Sequence, residues 1–78
     1  MQINEARLLF DSGAVTRFVI AHNPLKPLEW VLLVELKKGL QYPIETFRKS
    51  TKSYKTLEYV TADVYKISGR VTSLTVNI

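Results

Sequence analysis

The sequence predicts a single α+β domain over residues 1–78. The expected architecture is an antiparallel sheet of four to five strands, preceded by one helix and followed by a second helix and a last strand (α-β-β-β-(β)-α-β). Three observations predict it. Two segments, near 3–12 and 57–68, repeat their apolar residues at helical spacing. The stretches between and after them alternate with a period of two. Gly or Pro stands close to most of the changes of period. With 78 residues and no cysteine, the chain has room for one core and no disulfide to brace it. A hydrophobic content of 46%, with three Pro and three Gly, sets it apart from disordered chains.

Residues 3–12 place Ile3, Ala6, Leu9 and Phe10 on one side at helical spacing, with Asn4 as a cap and Gly13 as the stop. The alternative is a tight turn at Asp11-Ser12-Gly13 joining strands at 6–10 and 14–21. From Ala14 the period is two: Val15, Val19 and Ala21 point one way, Phe18 and Ile20 the other, up to Asn23-Pro24. Leu25-Lys26-Pro27 reads as a rigid connector, since proline fixes φ and removes a donor. Leu28 to Lys37 is the strongest strand, with Trp30, Leu32, Val34 and Leu36 on one face and Val31 and Leu33 on the other.

Lys38-Gly39-Leu40 is a hairpin turn, and Tyr42 to Arg48 a strand whose Pro43 suits an edge. Lys49-Ser50-Thr51-Lys52 is a polar turn, followed by a short extended piece through Tyr54. Thr56 caps a helix in which Glu58 complements the dipole, Leu57, Val60, Val64 and Ile67 form one stripe, and Gly69 is the stop. Val71 to Ile78 closes the chain as a strand.

Apolar residues on both faces of the strand around Trp30 to Val34 predict that both faces are covered. The C-terminal helix is expected on one face, and the N-terminal helix or a partner subunit on the other.

These punctuation marks carry a resemblance. Ile3-x-Glu5-Ala6-x-x-Leu9 ends at Ser12-Gly13-Ala14; Trp30 follows in a strand; Tyr54-Lys55-Thr56-Leu57-Glu58 opens a helix that stops at Gly69 before a last strand. Over most of its length the chain resembles small accessory proteins encoded on bacterial plasmids and integrating elements. The resemblance rests on caps, turns and core positions and carries over no functional residue. It implies a bacterial cytoplasm and a DNA context. Ser50-Thr51-Lys52 departs from the tighter glycine turn of that pattern.

Charge supplies the functional expectation. Between Lys37 and Lys55 stand six cations (Lys37, Lys38, Arg48, Lys49, Lys52, Lys55) and one acid, Glu45, in a chain of net charge +4. Phosphates need cations on one surface, and single strands add flat rings on which bases stack. The expected partner is DNA or RNA, held by these six side chains with Tyr42, Tyr59 and Tyr65 as exposed stacking candidates. Of the six, Lys37 and Lys38 fall at the other end of the hairpin and need not share one patch with the rest. Phe47 and Tyr54 are expected in the core. No helix-turn-helix, ribbon-helix-helix or zinc finger is present, so binding is expected to be weakly sequence-selective. The competing expectation is a homodimer or protein-interaction module, because a very apolar strand in a very small domain invites self-association.

Catalysis is not expected. The single histidine, His22, reads as a strand-end surface residue, and no nucleophile-base pair, phosphate loop or metal-ligand spacing is visible. Glu35 and Glu45, which could face each other across a hairpin, read as solvated partners of Lys37 and Arg48. No cofactor, signal peptide or membrane span is expected: the longest apolar run is Trp30 to Val34, and a spanning helix needs about 20 residues. The absence of cysteine fits a reducing cytoplasm.

Overall fold

A computed structural model describes residues 1–69 and 74–76. The elements are α1 (Ile3–Asp11), β1 (Val15–Asn23), β2 (Lys26–Leu36), β3 (Gln41–Pro43), α2 (Leu57–Ser68) and β4 (Leu74–Val76), with a single 3₁₀ turn at Lys37–Gly39. The α+β class holds: an N-terminal helix, three antiparallel strands in the order β3-β2-β1, and a C-terminal helix.

The helical reading of residues 3–12 is correct, with the cap shifted. Gln2, not Asn4, is the N-cap, and its backbone N–H donates to the Glu5 carboxylate at 3.3 Å. Gly13 ends the helix at φ +82°, a conformation that costs glycine little.

β1 and β2 form the central hairpin, with Phe18 opposite Val34, Ile20 opposite Leu32 and His22 opposite Trp30. Thr16 is an extra residue between Val15 and Arg17, and its hydroxyl donates to the Glu35 carbonyl at 3.0 Å. Such a bulge reverses the alternation. Val15 therefore pairs with Leu36 and packs on the same side as Phe18 and Ile20, not with Val19 as strict alternation predicts. β2 begins at Lys26, two residues earlier than expected. Its pairing is broken over Pro27–Glu29, where proline has no N–H to give the ladder.

Both helices lie on one face of the sheet. Ala6 of α1 and Val60, Val64 and Ile67 of α2 share one core with Phe18, Ile20, Leu32, Val34, Ile44 and Tyr54. The N-terminal helix, one of the two covers expected for the opposite face, therefore does not lie there. Two amphipathic helices that touch each other can bury both apolar stripes against the same strands. On the opposite face Val19 and Val31 are buried, and a polar cluster stands at one end. There Arg17 donates twice to Glu35, at 2.7 and 3.1 Å, and Gln41 donates to the same carboxylate at 2.9 Å. Glu35 is thus the partner of Arg17 rather than of Lys37. These hydrogen bonds, with the arginine charge, hold its carboxyl below the usual range despite some desolvation.

The hairpin turn expected at Lys38-Gly39-Leu40 forms one residue earlier, as a 3₁₀ turn over Lys37–Gly39 with Lys38 and Gly39 at positive φ. The strand expected over 42–48 ends instead at Pro43. Ile44 donates its N–H to the Leu32 carbonyl at 2.8 Å, and the chain then leaves the sheet. It makes a tight loop closed by a bridge between Glu45 and Thr51 and by the Thr46 N–H donating to the Ser50 carbonyl at 2.7 Å. Lys49 turns the corner at φ +64°. The turn is thus centred on Arg48, before the expected Lys49–Lys52. The chain returns with the Lys52 N–H donating to the Ile44 carbonyl, and Tyr54 then pairs with Trp30 through two hydrogen bonds of 2.8 Å. The edge of the sheet is one strand in two pieces with a finger between them.

Helix α2 carries the expected punctuation: the Thr56 hydroxyl accepts the Tyr59 N–H at 3.4 Å, and Gly69 closes the helix at φ +70°. After it, Leu74–Val76 pairs parallel to β1, not antiparallel. The interrupted edge strand, α2 and β4 form a strand-helix-strand crossover, which returns the chain in the same direction. The rest of the strand expected over 71–78 lies outside the described residues. Among those residues, no helix is long and apolar enough to cross a membrane.

Candidate nucleic-acid interface

The candidate interface is built on the interrupted edge. The finger Glu45–Thr51 is anchored at its base by Met1, whose carbonyl accepts the Glu45 N–H at 2.8 Å and whose amino group donates to the Glu45 carboxylate at 2.7 Å. Glu45 is therefore not a partner of Arg48. The Gln2 side-chain amide donates to the Thr46 and Phe47 carbonyls at 3.3 Å each. A braced backbone thus presents Phe47, Arg48 and Lys49 to solvent.

Phe47 is 95% exposed, which overturns its expected place in the core. Alternation through a strand at 42–48 would have set its side, but that strand ends at Pro43. Tyr54 is in the core as expected. Its hydroxyl donates to Asp63 at 2.6 Å, and burial, that hydrogen bond and the carboxylate charge push its phenol well above the ordinary range.

Asp63 is the residue the sequence reading missed. It is a carboxylate only 3% exposed on the buried side of α2, beside Val60, Val64 and Ile67. Lys52 Nζ donates to its Oδ2 at 2.7 Å and lies 5.1 Å from the centre of the Tyr54 ring; Lys66 Nζ is 3.5 Å from Oδ1. Burial alone would raise the acid's pKa. The hydrogen bonds from Lys52 and Tyr54 and the charges of Lys52 and Lys66 outweigh burial, and the pKa falls below the usual value. A signal was present: an acid inside an apolar helical stripe needs a cation to reach it.

The six expected cations are thus divided. Arg48 and Lys49 stand on the finger, and Lys55 just before α2; all three are exposed and, among the described residues, without a carboxylate partner. Lys52 is bound to Asp63 and is mainly structural. Lys37 and Lys38 are exposed at the far end of β2 from the Trp30–Tyr54 bridge, roughly 23 Å away at about 3.3 Å per residue. They do not join the others.

Tyr42, Tyr59 and Tyr65 are all exposed, in keeping with expectation. Tyr59 stands with Lys52, Lys55 and Lys66 around a groove of about 340 Å³ between residues 52–55 and α2. Tyr42 lies on β3, and Tyr65 is six residues beyond Tyr59 on another side of α2. A second hollow of about 300 Å³ separates the finger from the start of α1, and Lys52 borders both. His22 is exposed at its strand end, stacked on Trp30 at 4.3 Å. Among the described residues no cluster of three or more His, Cys, Asp or Glu could hold a metal ion.

Comparison with protein-family models, curated proteins and solved structures finds no match to this chain.

Proposed function

We propose that this protein is a small non-enzymatic binding protein that takes nucleic acid along its interrupted edge strand. One observation carries the reading. The finger tip holds an almost fully exposed phenylalanine beside two cations, on a loop tied down by six hydrogen bonds of its own and from residues 1–2. Exposing such a ring to water forgoes about 2 kcal/mol of burial, and a base offers that ring a stacking partner while Arg48 and Lys49 meet phosphates. Lys55 continues the positive track toward α2. Resemblance to accessory proteins of plasmids and integrating elements supports a bacterial, cytoplasmic, DNA-linked setting. In this reading β4 completes a four-stranded sheet whose opposite edge carries the ligand.

The test is anisotropy of labelled mixed-sequence oligonucleotides across a salt series. Wild-type binding falls steeply between about 50 and about 200 mM salt. Lys49→Glu with Lys55→Glu, or Phe47→Ala, weakens it about tenfold or more, while Lys37→Glu with Lys38→Glu changes it little. Lys52 is spared, because reversing its charge would break its pair with Asp63 and confuse binding with folding. Unchanged binding in the Lys49/Lys55 variant would sink the proposal.

A second reading has its own observation. Leu25 and Leu28, on a hairpin tip framed by Pro24 and Pro27, are 89% and 93% exposed. They favour a homodimer joined through that tip, and light scattering on Leu25→Ser/Leu28→Ser against wild type decides it.

A further inference from the structure

The groove between residues 52–55 and α2 has an order that the finger lacks. Tyr59, Ala62 and Lys66 fall at i, i+3 and i+7, so they form one stripe along its helical wall. Lys52, Ser53, Tyr54 and Lys55 form the other wall. The floor is rigid, since Asp63 fixes Lys52 and the Tyr54 hydroxyl with contacts of 2.7 and 2.6 Å. The lip is held more loosely: Lys66 is 65% exposed and 3.5 Å from its acid, and Lys55 has no carboxylate partner among the described residues. Among those residues three cations face one acid around the groove, and that acid is buried and already shared between Lys52 and Lys66.

Such an arrangement suits a small anionic ligand with a flat part. Specific small-ligand sites begin at about 300 Å³, and this groove is about 340 Å³. That is room for one nucleotide unit and too little for a duplex. A duplex would also leave the Tyr59 ring, 64% exposed, without an unstacked base to meet.

We propose that this groove is a subsite for one nucleotide of a single strand, with its phosphate between Lys55 and Lys66 and its base on the ring of Tyr59. The inference rests on the nucleic-acid reading above. It adds strand type and register: a chain that crosses the finger passes Lys52, which borders both hollows, and seats one base on α2.

The test compares two labelled oligonucleotides of equal length and charge, one mixed-sequence single strand and one abasic strand, using the full chain. Wild type binds the ordinary strand about tenfold tighter than the abasic one. Tyr59→Ala reduces that preference to the share that the Phe47 ring supplies, Tyr59→Phe restores it in full, and Phe47→Ala with Tyr59→Ala abolishes it. Lys55→Gln with Lys66→Gln makes the slope of log affinity against log salt shallower by about 1.4, the loss of two phosphate contacts on a single strand. Thermal melts confirm that these exposed substitutions leave the fold intact. If wild type binds but Tyr59→Ala keeps the preference in full, or the lysine pair leaves the slope unchanged, the subsite is wrong and the finger alone carries binding. If wild type binds neither strand, both proposals fall.

Discussion

Asp63→Ala is the most informative single change in this fold. It removes the acceptor for the Tyr54 hydroxyl and for Lys52, whose contacts are 2.6 and 2.7 Å. The two losses differ in size. Tyr54 is 2% exposed, so its stranded hydroxyl bears a desolvation penalty of about 1–3 kcal/mol. The Lys52 side chain is 36% exposed and can return to water, so its part is about 1 kcal/mol. The expected total is about 3 kcal/mol. A chain of 78 residues has about 4–12 kcal/mol in all, so this is a large share, equal to a fall in Tm of roughly 15 °C. Urea unfolding followed by fluorescence of Trp30, the single tryptophan, measures it. Tyr54→Phe alone costs about 1 kcal/mol, because Asp63 keeps its lysines. The double variant Tyr54→Phe/Asp63→Ala is less destabilised than the sum of the singles by at least about 1 kcal/mol, since it strands no hydroxyl. A cost under about 0.5 kcal/mol for Asp63→Ala, or strict additivity in the double variant, would refute this account of the cluster.

The same cluster sets an acid limb. The folded-state pKa of Asp63 lies below its unfolded value, so its contribution is full at neutral pH and is lost as pH falls through the folded value, below the ordinary carboxylate range. Denaturation midpoints measured down the acid range should therefore fall less steeply in Asp63→Asn than in wild type, and an equal slope contradicts the assignment. Thr56→Ala should cost about 1 kcal/mol through the lost cap on the Tyr59 N–H, read by thermal melting, whereas an unchanged Tm shows that the 3.4 Å contact contributes nothing.

What the sequence disclosed depended on how local each signal is. Thr56 and Gly69 were legible because a cap and a left-handed stop are decided within one turn. The faces of β2 were legible because alternation from Trp30 to Leu36 runs unbroken. Val15 was misplaced because one added residue, Thr16, reverses the alternation and leaves no mark in the pattern. The placing of both helices on one face was not legible, because periodicity tells which side of an element is apolar, not which neighbour covers it. At the candidate site, the exposure of Arg48, Lys49, Lys55 and Tyr59 followed from charge and helical position. The gathering of Lys52, Lys66 and Tyr54 around Asp63 did not, because it brings together residues up to fourteen apart across two elements. Phe47 was hidden by a strand that ends four residues before it.

The detour at Glu45–Thr51 has a consequence for how this molecule can vary. Its two feet are adjacent, since the Lys52 N–H reaches the Ile44 carbonyl at 2.9 Å, and the ladder left at Leu32 is rejoined at Trp30. A strand that departs and re-enters at neighbouring rungs tolerates changes of length and composition between them without shifting any residue of the sheet. It also offers incoming strands a broken rail rather than a continuous one, which discourages edge-to-edge stacking of neighbouring molecules. The tip can thus diverge while Met1 and Gln2 keep hold of its base.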